Sequence, residues 1–527
     1  MEMTGPEEEA GRGRGGFAIG ALVYGIAVFL LYHSSASPNL GAAHDGIYYV
    51  RAMRTGSGLW HPHHLLPSPL GRLFWRLLGG DLVARFELLN AFFGAATVAA
   101  LFFILADRFG LFTAVFYSGI FALSFGPWFY SSTVEVYIFP LPFLLVSYRL
   151  LFRPRRGEAF DGRGANASGA SAGDASPPRS SIFFSGIAAA FAVFFHQTNL
   201  LFVFTPAVLL GRRRLRAFLG WCLVFTLLVG AGYFWVISTG RAAGRSDSGT
   251  AASWMTSYLH TQRGLGHWSA TTIPRMAVGT GRFFVGGHFL FRLMGNFGDG
   301  RHYLEDERFL VQSMPRERAA LLLAAVFFGM LGTIVFLLAA RRAVPKEMTR
   351  RFFASAWSRG LAAWLLPYAL FFSWWEPENV EFWIAPMVPF LLLLAEGIPI
   401  EPIVRKSRIA VPILLLIPLL LGAVNWYGSI RYLRDPRNDY YAFRASEFQP
   451  AGPGDRVSVI DPWILAPYLE EKRGVRIAAT AEPRRTRKRR RQRSKGKSER
   501  EAWSADTLVC ERTGRRSKGM RQRNEKR

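Results

Sequence analysis

The chain has 527 residues, of which 50% are hydrophobic and 15% aromatic, and it carries a formal net charge of +27. The apolar residues are gathered into runs, most of them long enough to cross a bilayer core of about 30 Å. This pattern excludes an ordinary soluble protein. The two cysteines exclude a disulfide framework and a cysteine-based metal site.

Eleven apolar runs predict an all-α polytopic membrane protein with about 11 transmembrane helices, because only helices satisfy their own backbone groups in lipid. The fifth and sixth runs are short and predict a tight hairpin that does not fully cross. The runs are residues 17–33, 82–105, 111–129, 134–152, 181–195, 198–211, 217–238, 318–340, 355–373, 380–397 and 409–427.

Basic loops predict the orientation. Lysine and arginine cluster before the first run and after the fourth, sixth, eighth and tenth, all on one side if eleven spans alternate. We therefore expect a multi-pass protein of the plasma (inner) membrane with a cytoplasmic N-terminus, residues 1–16. The first run also fits a cleaved signal peptide, which would leave the following loop on the same outer side.

Two segments follow the predicted membrane domain of residues 17–427. Residues 428–480 predict a small extracytoplasmic segment, in which "GDRVSVIDPWILAPYLEEKRGVRI" indicates a strand-and-helix unit. Residues 481–527 predict a basic disordered tail, because few apolar residues are available to bury. From residue 472 onward the chain has 22 lysines and arginines but 6 acidic residues. The predicted orientation puts this tail outside, so its positive charge conflicts with the rule that basic segments are cytoplasmic. We expect no nucleic-acid partner.

Polar and ionisable residues recur at the outer ends of several predicted spans. Such residues are costly beside a membrane unless they are paired or hydrated, so their recurrence is a functional hypothesis. The candidates are His44, Asp45, Arg51, Arg54, His61, His63 and His64 in the first outer loop, Glu135 after the third span, His196 and Gln197 in the hairpin, and Glu376 and Glu378 between the ninth and tenth spans.

Each candidate also has a structural interpretation. Asp45 could cap a helix or pair with Arg51, although a spacing of six residues is poor for a helical pair. Glu135 could cap the fourth helix, whose N-terminus favours an acid. His196 could be a satisfied polar residue. The histidines of "HPHH" match no zinc-binding spacing.

The stretch "HLLPSPLGRLFWRLLGG", residues 64–80, predicts an amphipathic helix lying on the outer leaflet. Its apolar stripe contains Leu73 and Leu77, and Arg72 and Arg76 accompany it. Proline 67 marks the start, since proline suits the first turn of a helix.

Five motifs in this order resemble the GT-C superfamily of integral-membrane glycosyltransferases, which includes protein O-mannosyltransferases and the enzyme that adds aminoarabinose to lipid A. They are "AHDGIYYVRAM", the amphipathic helix, "STVEVY", "FHQTNLLFVFTPAVLL" and "WWEPENVEFWIAPMVPFLLLLA". The resemblance covers about residues 17–427. The sequence departs from the family in having "HD" for the usual acidic pair, and in lacking a large C-terminal soluble domain.

The resemblance implies transfer of a sugar from a polyprenyl phosphate donor to a hydroxyl of a lipid, glycan or protein acceptor on the outer face. Asp45 would be the general base of an inverting displacement, with Glu135 as the second catalytic residue. Glu135 and Glu376 would orient the sugar or the acceptor. Arg51, Arg54, the arginines of the loop 239–317 and the "HPHH" histidines would hold the phosphate. No cofactor is expected, and a role for a divalent cation stays open.

A transporter or lipid flippase is the alternative from another class. Transporters place polar groups near the bilayer midplane, often within two related halves. Here the polar residues gather at one edge and no halves are evident, which favours the enzyme. A non-catalytic assembly subunit is a third interpretation, and it would tolerate the loss of Asp45.

Overall fold

The computed structural model describes residues 6–40, 42–43, 45–152, 177–211, 214–242, 250–256, 266–294, 305–343, 352, 355–406, 410–446, 456–457, 462–474 and 476–477. Every apolar run of the sequence contains helix. The helices of the first half are α1 Pro6–Ser34, α2 Gly46–Thr55, α3 Pro67–Leu78, α4 Leu82–Phe109, α5 Leu111–Leu123, α6 Phe125–Ser131, α7 Leu141–Leu151, α8 Arg179–Phe195, the 3₁₀ helix Gln197–Val203, α9 Phe204–Leu210 and α10 Leu215–Ser238.

The second half continues as a helical bundle and ends in a small mixed unit. Its helices are α11 Ala251–Met255, α12 Thr272–Phe284, α13 Leu290–Met294, α14 Glu305–Leu310, α15 Arg316–Ala343, α16 Ala356–Trp375, the 3₁₀ helix Val380–Trp383, α17 Ile384–Gly397, α18 Glu401–Lys406, α19 Ala410–Asn425, the π-helical turn Trp426–Ile430, α20 Arg431–Leu433, the 3₁₀ turn Pro436–Asn438, α21 Tyr440–Ser446 and α22 Pro462–Arg473.

The predicted all-α polytopic architecture is confirmed, but eleven crossing spans are not. Among the described residues, six helical stretches are long and apolar enough to cross a membrane, and the bent pair α5–α6 would make a seventh. The fourth run shows why the two numbers differ. Its helix α7 has 11 residues, hence a length of about 16 Å, which is short of the bilayer core.

Helices α1 and α4 pack closely through small residues. A side-chain carbon added at Gly25 would stand 3.0 Å from the Cβ of Ala99, so the two backbones approach as nearly as their side chains allow. Close packing of this kind supplies the attraction between membrane helices, because the hydrophobic effect does not act between apolar surfaces within lipid. The predicted amphipathic helix is confirmed as α3, which starts at Pro67.

The helix pair α5–α6 bends by 63° at Ser124, whose backbone is extended. Asn425 of α19 joins the end of α5 to the end of α12. Its Nδ2 donates to the carbonyls of Leu123 and Phe284 at 2.8 Å each, and its Oδ1 accepts from the Gly286 amide at 3.2 Å. The backbone next to the bend is therefore held by a hydrogen bond from α19.

The C-terminal segment contains the strand-and-helix unit indicated by the sequence. Strands β1 (Arg456–Val457) and β2 (Arg476–Ile477) pair in parallel, with α22 as the connection. Two ion pairs join α22 to α2, one from Arg51 to Glu470 at 2.5 Å and one from Arg54 to Glu471 at 2.7 Å. The predicted basic tail, residues 481–527, lies outside the described residues.

Candidate functional site

Asp45 stands at the N-cap of α2, but its side chain makes no capping hydrogen bond. The helix starts through the Asp45 carbonyl, which accepts from the amides of Tyr48 and Tyr49. The side chain is half-buried. Helix capping therefore does not account for this carboxylate. The alternative partner, Arg51, forms its ion pair with Glu470.

Gly46 explains how Asp45 comes close to the third outer segment. A Cβ at this position would lie 2.7 Å from the carbonyl oxygen of Val134, the residue before Glu135. Only glycine allows the start of α2 to rest directly on that backbone. The two acidic motifs of the sequence, 90 residues apart, thus meet at this contact.

Glu135 lies in a segment without helix, residues 132–136, followed by a turn to Pro140. The interpretation of Glu135 as a cap of the fourth helix is wrong, because that helix begins only at Leu141. Pro140 disfavours helical backbone in the residue before it. β-Branched residues lower the helix propensity of the preceding segment, which contains Thr133, Val134, Val136 and Ile138. The buried Glu135 carboxylate accepts from the amide of Val136 at 3.1 Å.

Three separate segments contribute the carboxylates that we call the acidic wall: Asp45, Glu135, Glu376 and Glu381. Burial raises the pKa of Glu135 well above its ordinary value, and the charges of Asp45 and Glu381 raise it further. Burial also raises the pKa of Glu376, with Glu378 and Asp45 adding to the effect. Like charges oppose the ionisation of one another, which is how Asp45 acts on both Glu135 and Glu376.

The late outer turn holds its acids in fixed positions. Trp383 Nε1 donates to the Pro377 carbonyl at 2.8 Å, and Asn379 Nδ2 donates to Glu381 Oε1 at 2.9 Å and Glu376 Oε2 at 3.5 Å. Glu378 instead forms an ion pair with Arg275 of α12. A cation of a neighbouring helix thus holds Glu378.

The histidines of "HPHH" and of the hairpin gather into a second group, the imidazole wall: His61, His63, His64 and His196. Ring centroids lie 5.2 Å apart for His61 and His63 and 4.7 Å apart for His64 and His196. The backbone fixes this arrangement, because His64 pairs with His61 and the amide of Gln197 donates to the His63 carbonyl at 2.9 Å.

The imidazole wall is held in its neutral form. Burial, and the nearby His61, lower the pKa of His63 to about 3, although its hydrogen bond with Gln197 acts in the other direction. Burial and the neighbouring histidines lower the pKa of His64 well below its ordinary value. A neutral imidazole still carries one N–H donor. Among the described residues, no group of three or more histidine, cysteine or acidic side chains is arranged to hold a metal ion.

Tyr137 joins the two walls, and sequence reasoning missed it. Its ring centroid lies 5.0 Å from that of His196 and 6.2 Å from that of His64. Its hydroxyl experiences the charges of Glu381, Glu135 and Asp45. The tyrosine was visible two residues after Glu135 in "STVEVY", but only the non-helical course of the chain over residues 132–140 brings both residues to the site. Glu381 was visible in "WWEPENVEFW" but was not among the candidate site residues.

Several cationic candidates for phosphate binding have partners within the protein. Arg51 and Arg54 both pair with acids of α22. In the loop 239–317, Arg282 pairs with Glu307 at 2.9 Å and Arg292 donates to the Met314 carbonyl at 2.8 Å. Their roles remain predictions. His44 lies outside the described residues, as do His260 and Arg263 of the same loop.

The chain has the fold of a solved membrane protein. The structure of ArnT from Cupriavidus metallidurans bound to undecaprenyl phosphate has a TM-score of 0.52 and 11% identity, over 89% of this chain and 86% of that one. Its apo form has a TM-score of 0.49 and 12% identity, over 88% and 86%. The Archaeoglobus fulgidus oligosaccharyltransferase in its apo form has a TM-score of 0.42 and 13% identity, over 88% and 64%.

At these identities the likeness to ArnT concerns the fold. It confirms the all-α polytopic membrane fold that the sequence predicted. No family profile matches the chain. No curated protein sequence matches it either.

Proposed function

We propose that this protein is a membrane glycosyltransferase that moves a sugar from a polyprenyl-phosphate-linked donor to an acceptor hydroxyl on the extracytoplasmic face of the plasma membrane. One observation carries the proposal. On a GT-C-like bundle, Gly46, next to the half-buried Asp45, rests on the backbone beside the buried Glu135, and burial and the charges of Asp45 and Glu381 raise the pKa of Glu135. Acids with perturbed pKa values cluster at functional sites.

In the proposed reaction, Asp45 accepts the proton of the acceptor hydroxyl as that oxygen attacks the anomeric carbon. The bond between the anomeric carbon and the phosphate oxygen breaks, and the lipid phosphate leaves. A single displacement inverts the anomeric configuration and needs one base. Glu135 retains a proton under these conditions, because its neighbours and its burial oppose its ionisation, and it hydrogen-bonds the sugar or the acceptor.

The imidazole wall faces the leaving phosphate in this arrangement. A neutral ring donates an N–H hydrogen bond without the attraction of a permanent cation, so it binds the donor phosphate and releases the carrier afterwards. His196 is the buried member assigned to this role, because its Nδ1 accepts from the Thr198 amide at 3.3 Å and its Nε2 therefore carries the proton. The lipid, glycan or protein nature of the acceptor does not alter this chemistry. The proposal requires no cofactor.

The test compares Asp45→Asn with wild type and with Asp435→Asn. Asp435 is a surface residue paired with Arg437, so the control makes the same chemical change away from the site. Each gene is expressed in a host that lacks the protein, its abundance in the membrane is measured, and the envelope glycans are profiled by mass spectrometry.

We expect Asp45→Asn to be inserted normally and to lose the glycan product by about 10²- to 10⁴-fold, the usual contribution of a general base, while the control retains it. If the product persists at the wild-type level, Asp45 is not the base. Glu135 would then be tested as the base in the same assay. A Glu135 variant that also retains the glycan product would favour the transporter.

A further inference from the structure

A cavity lies at the other end of α2 from Asp45. Its volume is about 630 Å³, and it is bounded by the loop after α2, by α3 and by the chain that follows α10. The backbone of Trp60 pairs with that of Ala242, which ties the loop to the end of α10. The cavity is therefore built from three separate segments held together.

Three arginines line this cavity: Arg72, Arg76 and Arg241. Arg72 and Arg76 are four residues apart on α3 and so share one face. The guanidinium of Arg241 lies 4.8 Å from the ring centroid of Trp235. In the part of the chain that the structure describes, none of the three forms an ion pair, and the buried Nε of Arg72 has no hydrogen-bond partner. The cavity thus concentrates positive charge that lacks a described protein counter-ion.

Gly56 gives Arg72 its position. The glycine has a φ of +78°, which disfavours other residues, and the Arg72 guanidinium occupies the space where its side chain would be. The guanidinium thereby packs against the Gly56 backbone, and both residues line the cavity. Arginine held in this manner suits a phosphate, whose oxygens accept two parallel N–H hydrogen bonds.

The surroundings of the arginines are apolar. Leu73 lines the cavity and is 54% exposed, and Leu77, one turn further along α3, is 72% exposed. Trp60 and Trp235 form an edge-to-face pair with a centroid distance of 5.0 Å. Tryptophans and an amphipathic helix are typical of the membrane interface. A ligand that fills this cavity therefore needs an anionic head and an apolar tail.

This cavity is distinct from the site of the proposed transfer. Helix α2 has ten residues, hence a length of about 15 Å, and it separates Gly56 at the cavity from Asp45. A phosphate bound by Arg72 would be too far from Asp45 to be the leaving group of the proposed reaction.

We propose that the arginine cavity binds the phosphate of an anionic membrane lipid, whose acyl chains lie along Leu73 and Leu77. The proposal does not rest on the glycosyltransferase function, and its test requires no transfer activity.

The experiment measures lipid retention by the full-length protein in detergent, using native mass spectrometry with added phosphatidylglycerol, phosphatidylcholine or inorganic phosphate. The test variant is Arg72→Gln/Arg241→Gln. The matched control, Arg216→Gln/Arg405→Gln, removes two arginines from the opposite end of α10 and from α18. Thermal unfolding of each variant verifies the fold.

We expect phosphatidylglycerol to bind the wild type in preference to phosphatidylcholine. In the test variant, the tightest binding step should weaken by about tenfold or more, because two charge-assisted contacts are lost, and the control should change by less than about twofold. Equal retention of both lipids, or an unchanged test variant, would refute the proposal. If inorganic phosphate binds as tightly as phosphatidylglycerol, the ligand is a soluble phosphate and the lipid assignment is wrong.

Discussion

The acidic wall and the imidazole wall reach the same electrostatic state by opposite routes. Burial raises the pKa of Glu135, so this carboxyl keeps its proton, whereas burial lowers the pKa of His63 to about 3, so this imidazole loses one. Burial thus opposes the charged form of both Glu135 and His63. Asp45, a half-buried member of the acidic wall, is the carboxylate that the proposed reaction uses as its base. The difference teaches that burial moves the pKa values of carboxyls and imidazoles in opposite directions.

The largest expected change in activity from this contrast is at Glu135. Glu135→Ala should lower transfer by about a hundredfold, because the substrate loses a positioning hydrogen bond. Glu135→Gln should stay within about tenfold of wild type, since an amide resembles a protonated carboxyl. Turnover in membranes from cells of equal protein abundance measures both.

Glu378→Ala is the matched control, because Glu378 is an acid of the late turn that pairs with Arg275. It should change turnover by less than about threefold. A Glu135→Gln variant as inactive as Glu135→Ala would contradict the neutral state of Glu135 and would assign it an ionised role.

His196 tests the opposite wall. His196→Ala should raise KM for the lipid-linked donor by about tenfold and leave kcat within about twofold, because one hydrogen bond to the phosphate is lost in ground and transition states alike. His33→Ala, at the exposed end of α1, provides the control. A fall in kcat with an unchanged KM would instead place His196 in the chemical step.

The two walls should change the pH dependence of the free energy of unfolding with opposite signs. A histidine with a lowered pKa stabilises the fold above pH 6.5, and this contribution is lost as the pH falls from 6.5 toward about 3. A carboxyl with a raised pKa stabilises the fold below pH 4.5, and this contribution is lost as the pH rises through its folded-state pKa.

Thermal unfolding of the purified protein measures these effects. Between pH 7 and pH 5, His63→Gln should reduce the acid-induced drop in Tm, by about 2 °C. Over the same range, Glu135→Gln should make the drop steeper, because it removes a contribution of opposite sign. Parallel pH profiles for wild type and both variants would contradict the opposed shifts.

The fold was predictable from the sequence because membrane helices are encoded locally. Each apolar run contains helix, and α3 begins at the proline that marked it. The number of crossings was less accessible, since it depends on helix ends such as the delayed start of α7 at Leu141. A proline at 140 and the β-branched residues before it were signals for that delay.

The site was only partly predictable, because its members meet through tertiary contacts. Asp45, Glu135 and the histidines were identifiable as polar residues at span ends. Tyr137 resembled an ordinary interfacial aromatic residue until its contacts with His64 and His196 were known. The pairing of Arg51 and Arg54 with α22 joins residues more than 400 positions apart, and no local pattern encodes it.

That same pairing sets a schedule for the synthesis of the protein. Helix α2, which begins next to Asp45, emerges near the start of translation, but its partners Glu470 and Glu471 emerge near the end. At about 5–20 residues per second, the interval is on the order of a minute. During this time α2 has been synthesised but lacks the two ion pairs that attach it to α22. The nascent chain thus completes the surroundings of Asp45 only after its last membrane helix has left the ribosome.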